Sequence, residues 1–285
     1  MVNSDPTEAT LTTADGLRLH LEQHAAVGPA QGAVVFVHGF TMHAGMFRHL
    51  SAALASAGLH VMAFDCRGHG RSDGRRGYVR DFGDYQADLR AVIARARATW
   101  PDLPIAAIGH SQGGLIVLAT ALAEPPLPVQ ALVLAAPWLG LAMKVPVVKR
   151  ALAPVLRVLW PTLALANGIR ADAVTRDAMM QERLSRDPLI HHVATAGWFH
   201  QAQLAQARVV AHAAMLRTPT FILIPGDDRI ASAATTAAFA RAAGTLVETH
   251  AYPQAFHELF LEPEREQIIA DIVSWLVPRL NARIL

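Results

Sequence analysis

Ile105-Ala106-Ala107-Ile108-Gly109-His110-Ser111-Gln112-Gly113-Gly114-Leu115-Ile116-Val117-Leu118 decides the fold. Ile105 to Ile108 is a short apolar run of the kind that forms a strand covered on both faces. Gly113 to Ala123 that follows is apolar all round, and a helix with no polar face is a buried one. Between them Gly109-His110-Ser111-Gln112-Gly113 fits G-x-S-x-G, the strained strand-to-helix turn that lifts a serine hydroxyl above the end of a sheet. The pentapeptide alone is weak evidence, since chance supplies about 0.04 matches in a chain of this make-up. Its position between a buried strand and a buried helix gives it weight, and Gly114 adds a second place for close helix-strand approach.

The same rhythm extends outward in both directions. Ala33 to Val37, Leu59 to Phe64, Ala131 to Ala135 and Phe221 to Ile224 are apolar runs, each followed by a polar or glycine-rich turn. Helical patterns lie at Met46 to Ala57 and at Asp84 to Thr99, the latter stopped by Pro101. Pro263 to Leu280 opens with Pro and acids, as a helix N-terminus prefers, and is expected to pack on the sheet through Ile268, Ile269, Ile272, Trp275 and Leu276. Strands alternating with helices predict an α/β fold with a mostly parallel sheet. Leu17, Leu19 and Leu21 alternate with polar residues after Asp15-Gly16, which predicts a half-buried hairpin strand. One connection breaks the rhythm: Pro137 to Pro219 holds roughly 80 residues where a crossover needs about a dozen. Its pattern is mostly helical, and an insertion over the sheet accounts for it. Between Glu124 and Asp172 there is no acidic residue, while Lys144, Lys149, Arg150, Arg157 and Arg170 sit among leucines, valines, Trp138 and Trp160.

Composition narrows the function. The 285 residues are 52% hydrophobic and 17% charged, with a net charge of +2, enough apolar material for a full core. A two-charge excess over this length falls well short of the clustered Lys/Arg stripe that a nucleic-acid binder needs. The one cysteine, Cys66, rules out an intrachain disulfide and a cysteine metal cage. The start, Met1 to Thr13, lacks the cationic-then-apolar layout of a secretory leader, so a cytoplasmic location is expected. Ala131 to Met143 falls short of the roughly 18 to 20 residues of a membrane span. No repeat of fixed period and no low-complexity tract is present.

A serine hydroxyl needs a base to take its proton, and that base needs an acid to fix its tautomer. For this motif both partners follow the serine, on loops at strand ends. Pro225-Gly226-Asp227-Asp228-Arg229 and Tyr252-Pro253-Gln254-Ala255-Phe256-His257-Glu258 stand in those places. Chemistry alone leaves Asp227 and Asp228 open. Of the 14 histidines, most precede the serine or lie in the insertion. His191, His192 and His200 read as lid or surface residues, His38 as a structural buttress, and no H-E-x-x-H spacing marks a metal site. Arg67, Arg71, Arg75 and Arg76 imitate a phosphate cradle but read as a solvated or salt-bridged loop, with no P-loop or dinucleotide fingerprint.

The chain resembles α/β-hydrolases of the monoacylglycerol lipase and lysophospholipase type. The resemblance rests on His38-Gly39-Phe40, Asp65 to Gly74, Asp81-Phe82 with Tyr85 and Asp88, the serine elbow, Ser185-Arg186-Asp187-Pro188-Leu189, Asp228-Arg229-Ile230 and Phe256-His257-Glu258, in order over nearly the whole chain. It implies the α/β-hydrolase fold, with a core from 1–137 and 211–285 and a helical cap over 138–210. It implies Ser111 as nucleophile, Asp228 as orienting acid, His257 as base, and the backbone N–H groups of Phe40 and Gln112 as oxyanion hole. Gly39, Trp138, Leu139, Leu141 and Met143 become the expected substrate-binding residues. The sequence departs from the family in Thr41-Met42-His43, where a glutamate linked to the glycerol end is replaced by Met42, and in Phe47, where a tyrosine is common.

The expected reaction is two-step acyl transfer, with no metal or organic cofactor. A small acyl ester or lipid is the expected partner, a monoacylglycerol or lysophospholipid foremost, and nucleic acid is not. Apolar area with local positive charge suggests transient peripheral contact of the flap with anionic lipid through Lys144, Lys149, Arg150 and Arg157. Alternatives are a carboxylesterase, thioesterase or lactonase of small esters, a cofactor-free haloperoxidase, and a non-catalytic ligand receptor on the same fold. No oligomeric state is predicted.

Overall fold

A computed structural model describes residues 5–144 and 155–282. Eight strands form the central sheet in the order β1-β2-β4-β3-β5-β6-β9-β10. These are Thr7–Thr12 (β1), Arg18–His24 (β2), Gly32–Val37 (β3), Leu59–Phe64 (β4), Ile105–His110 (β5), Ala131–Ala135 (β6), Thr220–Pro225 (β9) and Val247–Tyr252 (β10). β1 and β2 are antiparallel to their neighbours, and every pair from β4 to β10 is parallel. The apolar runs therefore became the parallel strands, and β3, β5 and β6 are buried at every position.

Residues two apart on a strand share a face, and β3 divides accordingly. Ala33, Val35 and Val37 join one core cluster, Val34 and Phe36 the other. The first face is covered by α2 (Phe82–Thr99), α3 (Gln112–Ala121), α5 (Ala196–Ala211) and α6 (Ala233–Ala243), which supply Leu89, Leu115, Ala202 and Phe239 to that cluster. The second is covered by α1 (Arg48–Ser56) and α7 (Arg265–Asn281). As expected, Ile268, Ile269, Ile272, Trp275 and Leu276 of α7 are buried. This is the α/β-hydrolase architecture of a mostly parallel sheet flanked by helices.

Three details differ from the sequence reading. The leading segment contributes an edge strand, β1, closing the Asp15-Gly16 hairpin with Gly16 at φ 86°. β2 is buried at Glu22 and His24 as well as at the leucines, and Arg48 compensates the buried Glu22 carboxylate by forking onto it at 2.7 and 2.9 Å. The insertion is not helix alone: Ala164–Ala166 (β7) and Val193–Thr195 (β8) pair antiparallel around α4 (Ala178–Arg186). Arg67 is buried on the Asp88 carboxylate at 2.6 and 2.7 Å and also bonds Asp15 at 2.9 Å, a salt-bridged loop as expected. Lys149 and Arg150 of the cationic flap lie outside the described residues.

Candidate active site

The β5–α3 turn is built by its glycines. A Cβ at Gly109 would stand 2.6 Å from the Gly113 carbonyl, and one at Gly113 would stand 2.1 Å from the Val37 carbonyl. Only bare backbone fits, so α3 starts hard against β3 and β5. Ser111 is held at φ 52°, ψ −115°, a conformation that L side chains rarely adopt and that persists only where its surroundings over-determine it. Its N–H donates to the Ala135 carbonyl and its carbonyl accepts from Leu115 and Trp138.

The loops after β9 and β10 bring their residues to this turn. Ser111 Oγ lies 2.8 Å from His257 Nε2, and His257 Nδ1 lies 2.8 Å from Asp228 Oδ2. Asp228 Oδ1 accepts from the backbone N–H groups of Ile230 and Ala231, both at 2.8 Å. Asp227 faces away, exposed, with its carboxylate on Arg229 at 2.8 Å. The structure thus places Asp228, and not Asp227, at the imidazole.

Burial and charge pull against each other here. Burial favours neutral His257, but the Asp228 carboxylate beside it, with Glu258, outweighs that and raises its pKa above the ordinary 6.5. Burial also opposes ionised Asp228; the imidazole and the two N–H donors win, and its pKa falls below 3.8. A second imidazole–carboxylate pair lies behind the first. Glu258, fully buried, sits with Oε2 2.9 Å from His110 Nδ1, and His110 Nε2 meets the His257 carbonyl at 3.2 Å. The sequence offered no role for this pair.

Gly39-Phe40-Thr41-Met42 forms a turn opposite Ser111, closed by the Met42 N–H on the Gly39 carbonyl at 3.2 Å, with Thr41 at φ 71°. Phe40 and Gln112, each one residue into its turn, have backbone N–H groups that meet no protein acceptor among the described residues. His38 braces this turn as expected, with Nδ1 2.7 Å from the Gly39 carbonyl and Nε2 accepting from the Cys66 N–H at 2.9 Å.

Ser111 and His257 open on a cavity of about 470 Å³. Gly39, Trp138, Leu141 and Met143 line it together with residues of the insertion, among them Leu156, Leu165, Ile169 and Phe199. Leu139 does not: it is 3% exposed and packs in the core beneath. The only carboxylate on the wall, among the described residues, is Glu258. A second hollow of about 670 Å³ adjoins the first across Thr41, Met42, Asn167, Ile169 and Val174. Elsewhere, Glu8, His20 and Glu22 cluster within ligand distance, but Arg71 and Arg48 already hold those carboxylates.

Known proteins share both the sequence and the fold. A family model described as "Serine aminopeptidase, S33" matches residues 28–264. The chain belongs to this serine hydrolase family. It is 33% identical to a monoacylglycerol lipase of Mycolicibacterium smegmatis over 98% of this chain and all of that protein. It is 28% identical to the human monoglyceride lipase over 94% of this chain and 90% of that one. The crystal structure of the Paleococcus ferrophilus monoacylglycerol lipase superposes with a TM-score of 0.83 at 28% identity, covering 92% of this chain and 99% of that one. This hydrolase is accordingly a serine ester hydrolase of the lipase and esterase type. No helix among its described residues is long and apolar enough to cross a membrane.

Proposed function

We propose that the protein hydrolyses acyl esters of lipid type, monoacylglycerols or lysophospholipids, through an acyl-enzyme on Ser111. The observation that carries this reading is the line Asp228–His257–Ser111, with two contacts of 2.8 Å, ending in a cavity walled by apolar side chains. In the first step Ser111 Oγ attacks the ester carbonyl while His257 Nε2 takes its proton; Nε2 then passes that proton to the leaving alcohol. Asp228 holds Nδ1–H and stabilises the imidazolium. Water repeats the attack on the acyl-enzyme, and His257 again serves as base, then acid. The Phe40 and Gln112 N–H groups hold the tetrahedral oxyanion; losing one such donor typically costs about 3 kcal/mol of barrier.

The cavity favours an apolar acyl donor over a peptide. A free amino terminus in the site needs a carboxylate partner, and Glu258 is already buried on His110. A pocket near 470 Å³ lies in the usual range for small-molecule sites, and each buried methylene contributes about 0.8 kcal/mol. The names of relatives support the lipid class: monoacylglycerol lipases and a Bacillus subtilis phospholipase. Met42, buried where the family resemblance leads one to expect a glutamate, removes a polar contact at the alcohol end and favours tolerance of the head group.

In this reading residues 138–210 act as a cap over the site. Val158, Leu159 and Trp160 are 66%, 78% and 59% exposed, next to Arg157, which suits brief contact with an anionic lipid surface. Equal co-sedimentation with anionic and zwitterionic vesicles would rule that contact out.

The deciding assay compares kcat/KM for monoacylglycerols of rising chain length, lysophosphatidylcholine and p-nitrophenyl esters from acetate to long acyl chains, in wild type and Ser111→Ala. Preference for long acyl chains, lost in Ser111→Ala, supports the proposal. Preference for p-nitrophenyl acetate over long-chain p-nitrophenyl esters, which share its leaving group, would place the protein among small-ester carboxylesterases.

A further inference from the structure

Both proposed oxyanion donors are gripped by one side chain from the inserted segment. Trp198 lies in the first turn of α5, whose N-cap Thr195 accepts the Trp198 N–H at 3.1 Å. Its ring stacks on Phe40 with centroids 3.7 Å apart and planes 14° from parallel. Its other neighbour in the stack is Trp138, at 5.3 Å and 10°. Its indole N–H donates to the Gln112 side-chain oxygen at 2.9 Å, and Gln112 is fully buried.

The turn that carries Phe40 needs such a hold. Thr41 is β-branched and sits at φ 71°, a conformation that is an outlier for its type and persists only under restraint from its surroundings. The Phe40 ring, clamped face-on by Trp198 and edge-on by His69 and His191, supplies that restraint. On the far side, α5 is tied to the strand-end loop by Gln206, which donates to the Trp138 carbonyl at 2.8 Å. Trp198 is therefore held by two near-parallel rings and at its N–H.

We infer that Trp198 is a positioning residue for the oxyanion hole, setting the Phe40 N–H by stacking and the Gln112 N–H through its side-chain amide. The inference rests on the reading of Ser111 as nucleophile. An oxyanion donor contributes chiefly in the transition state, so misplacing it lowers kcat and leaves KM nearly unchanged.

The test uses Trp198→Phe, which keeps an aromatic face and removes the N–H, with Trp198→Leu as the harsher variant. Rates are normalised to active sites titrated with a fluorophosphonate, so a misfolded fraction does not enter. Trp198→Phe is expected to lower kcat about tenfold with KM within twofold. Affinity for a long-chain trifluoromethyl ketone, whose serine adduct carries the oxyanion, is expected to fall by the same factor as kcat/KM. In a Gln112→Met background, which has no amide oxygen, Trp198→Phe should add little. Should Trp198→Leu fail to fold, Trp198→Phe and the double variant still decide. Unchanged kcat and ketone affinity in Trp198→Phe, a change confined to KM, or full additivity with Gln112→Met would overturn the inference. Ser111→Ala run alongside separates the two readings: if it is inactive while Trp198→Phe is normal, only the positioning role falls; if it stays active, both fall.

Discussion

Asp228 turns one carboxylate oxygen to His257 Nδ1 and the other to the N–H groups of Ile230 and Ala231, so its plane is set by its own loop before the imidazole arrives. Asp227, one residue earlier, is 53% exposed at its side chain and bonds Arg229. Two adjacent carboxylates thus have unequal prospects. Asp228→Asn should cut kcat by about 10³ to 10⁴, because the amide can turn its NH₂ to Nδ1 and favour the wrong tautomer. Asp227→Asn should stay within twofold. Parallel steady-state assays of the two variants check this.

The pH dependence of kcat/KM follows from His257. The base must be neutral to accept the serine proton, and its pKa is raised above 6.5, so activity should climb with pH through an apparent pKa above that value. Glu258 adds to the rise in pKa, so Glu258→Gln should move the ascending limb to lower pH. A limb that stays in place would show that the buried His110–Glu258 pair does not act on the base.

Stability should fall in acid for a separate reason. Burial holds His38 and His191 neutral, lowering each from 6.5 to about 4, and it also drives the His69 pKa well below its ordinary value. Between those values the unfolded chain binds more protons than the folded one, so stability is fully present above pH 6.5 and is lost as pH falls towards 4. The shifts of His38 and His191 correspond to about 3 kcal/mol each. Burial opposes the charge on His257 as well, but the carboxylates prevail; its contribution runs the other way, present below pH 6.5 and lost as pH rises through its raised pKa. Melting curves from pH 7.5 to 4 should show a steep acid loss, and His191→Leu should flatten it.

Asp88 anchors the loop that runs from β4. Its side chain is 2% exposed against Arg67 at 8%, so Asp88→Ala takes from the buried guanidinium its most buried carboxylate partner. Breaking a buried pair on one side typically costs about 3 to 5 kcal/mol. Since Arg67 keeps Asp15 at 2.9 Å, a loss of about 3 kcal/mol is expected in urea unfolding.

The sequence was most legible where burial is uniform. β3, β5 and β6 are covered on both faces, so their apolar runs stand out without any knowledge of partners, and the glycines of the elbow mark backbone contacts that admit no Cβ. β1 was not legible, because an edge strand with an exposed face, Thr7–Thr12, carries little apolar pattern. Leu139 looked like its neighbours Leu141 and Trp138, but the turn after β6 sends it into the core. Asp227 and Asp228 differ only in which way the loop faces. Glu258 stands in the sequence only as the residue after the base, and it is the fold that sets it against His110, 148 positions earlier in the chain. The Trp198–Gln112 bond spans 86 residues, from the insertion to the elbow, and no local pattern encodes it.

The most direct measurement is peptide mapping by mass spectrometry after reaction with a long-chain fluorophosphonate, a probe that needs a serine activated by its base. Modification at Ser111 alone is predicted, absent in Ser111→Ala and slowed at least a hundredfold in His257→Ala. Modification of another residue at a comparable rate, or of Ser111 at the same rate without His257, would contradict the proton relay on which the proposed chemistry depends.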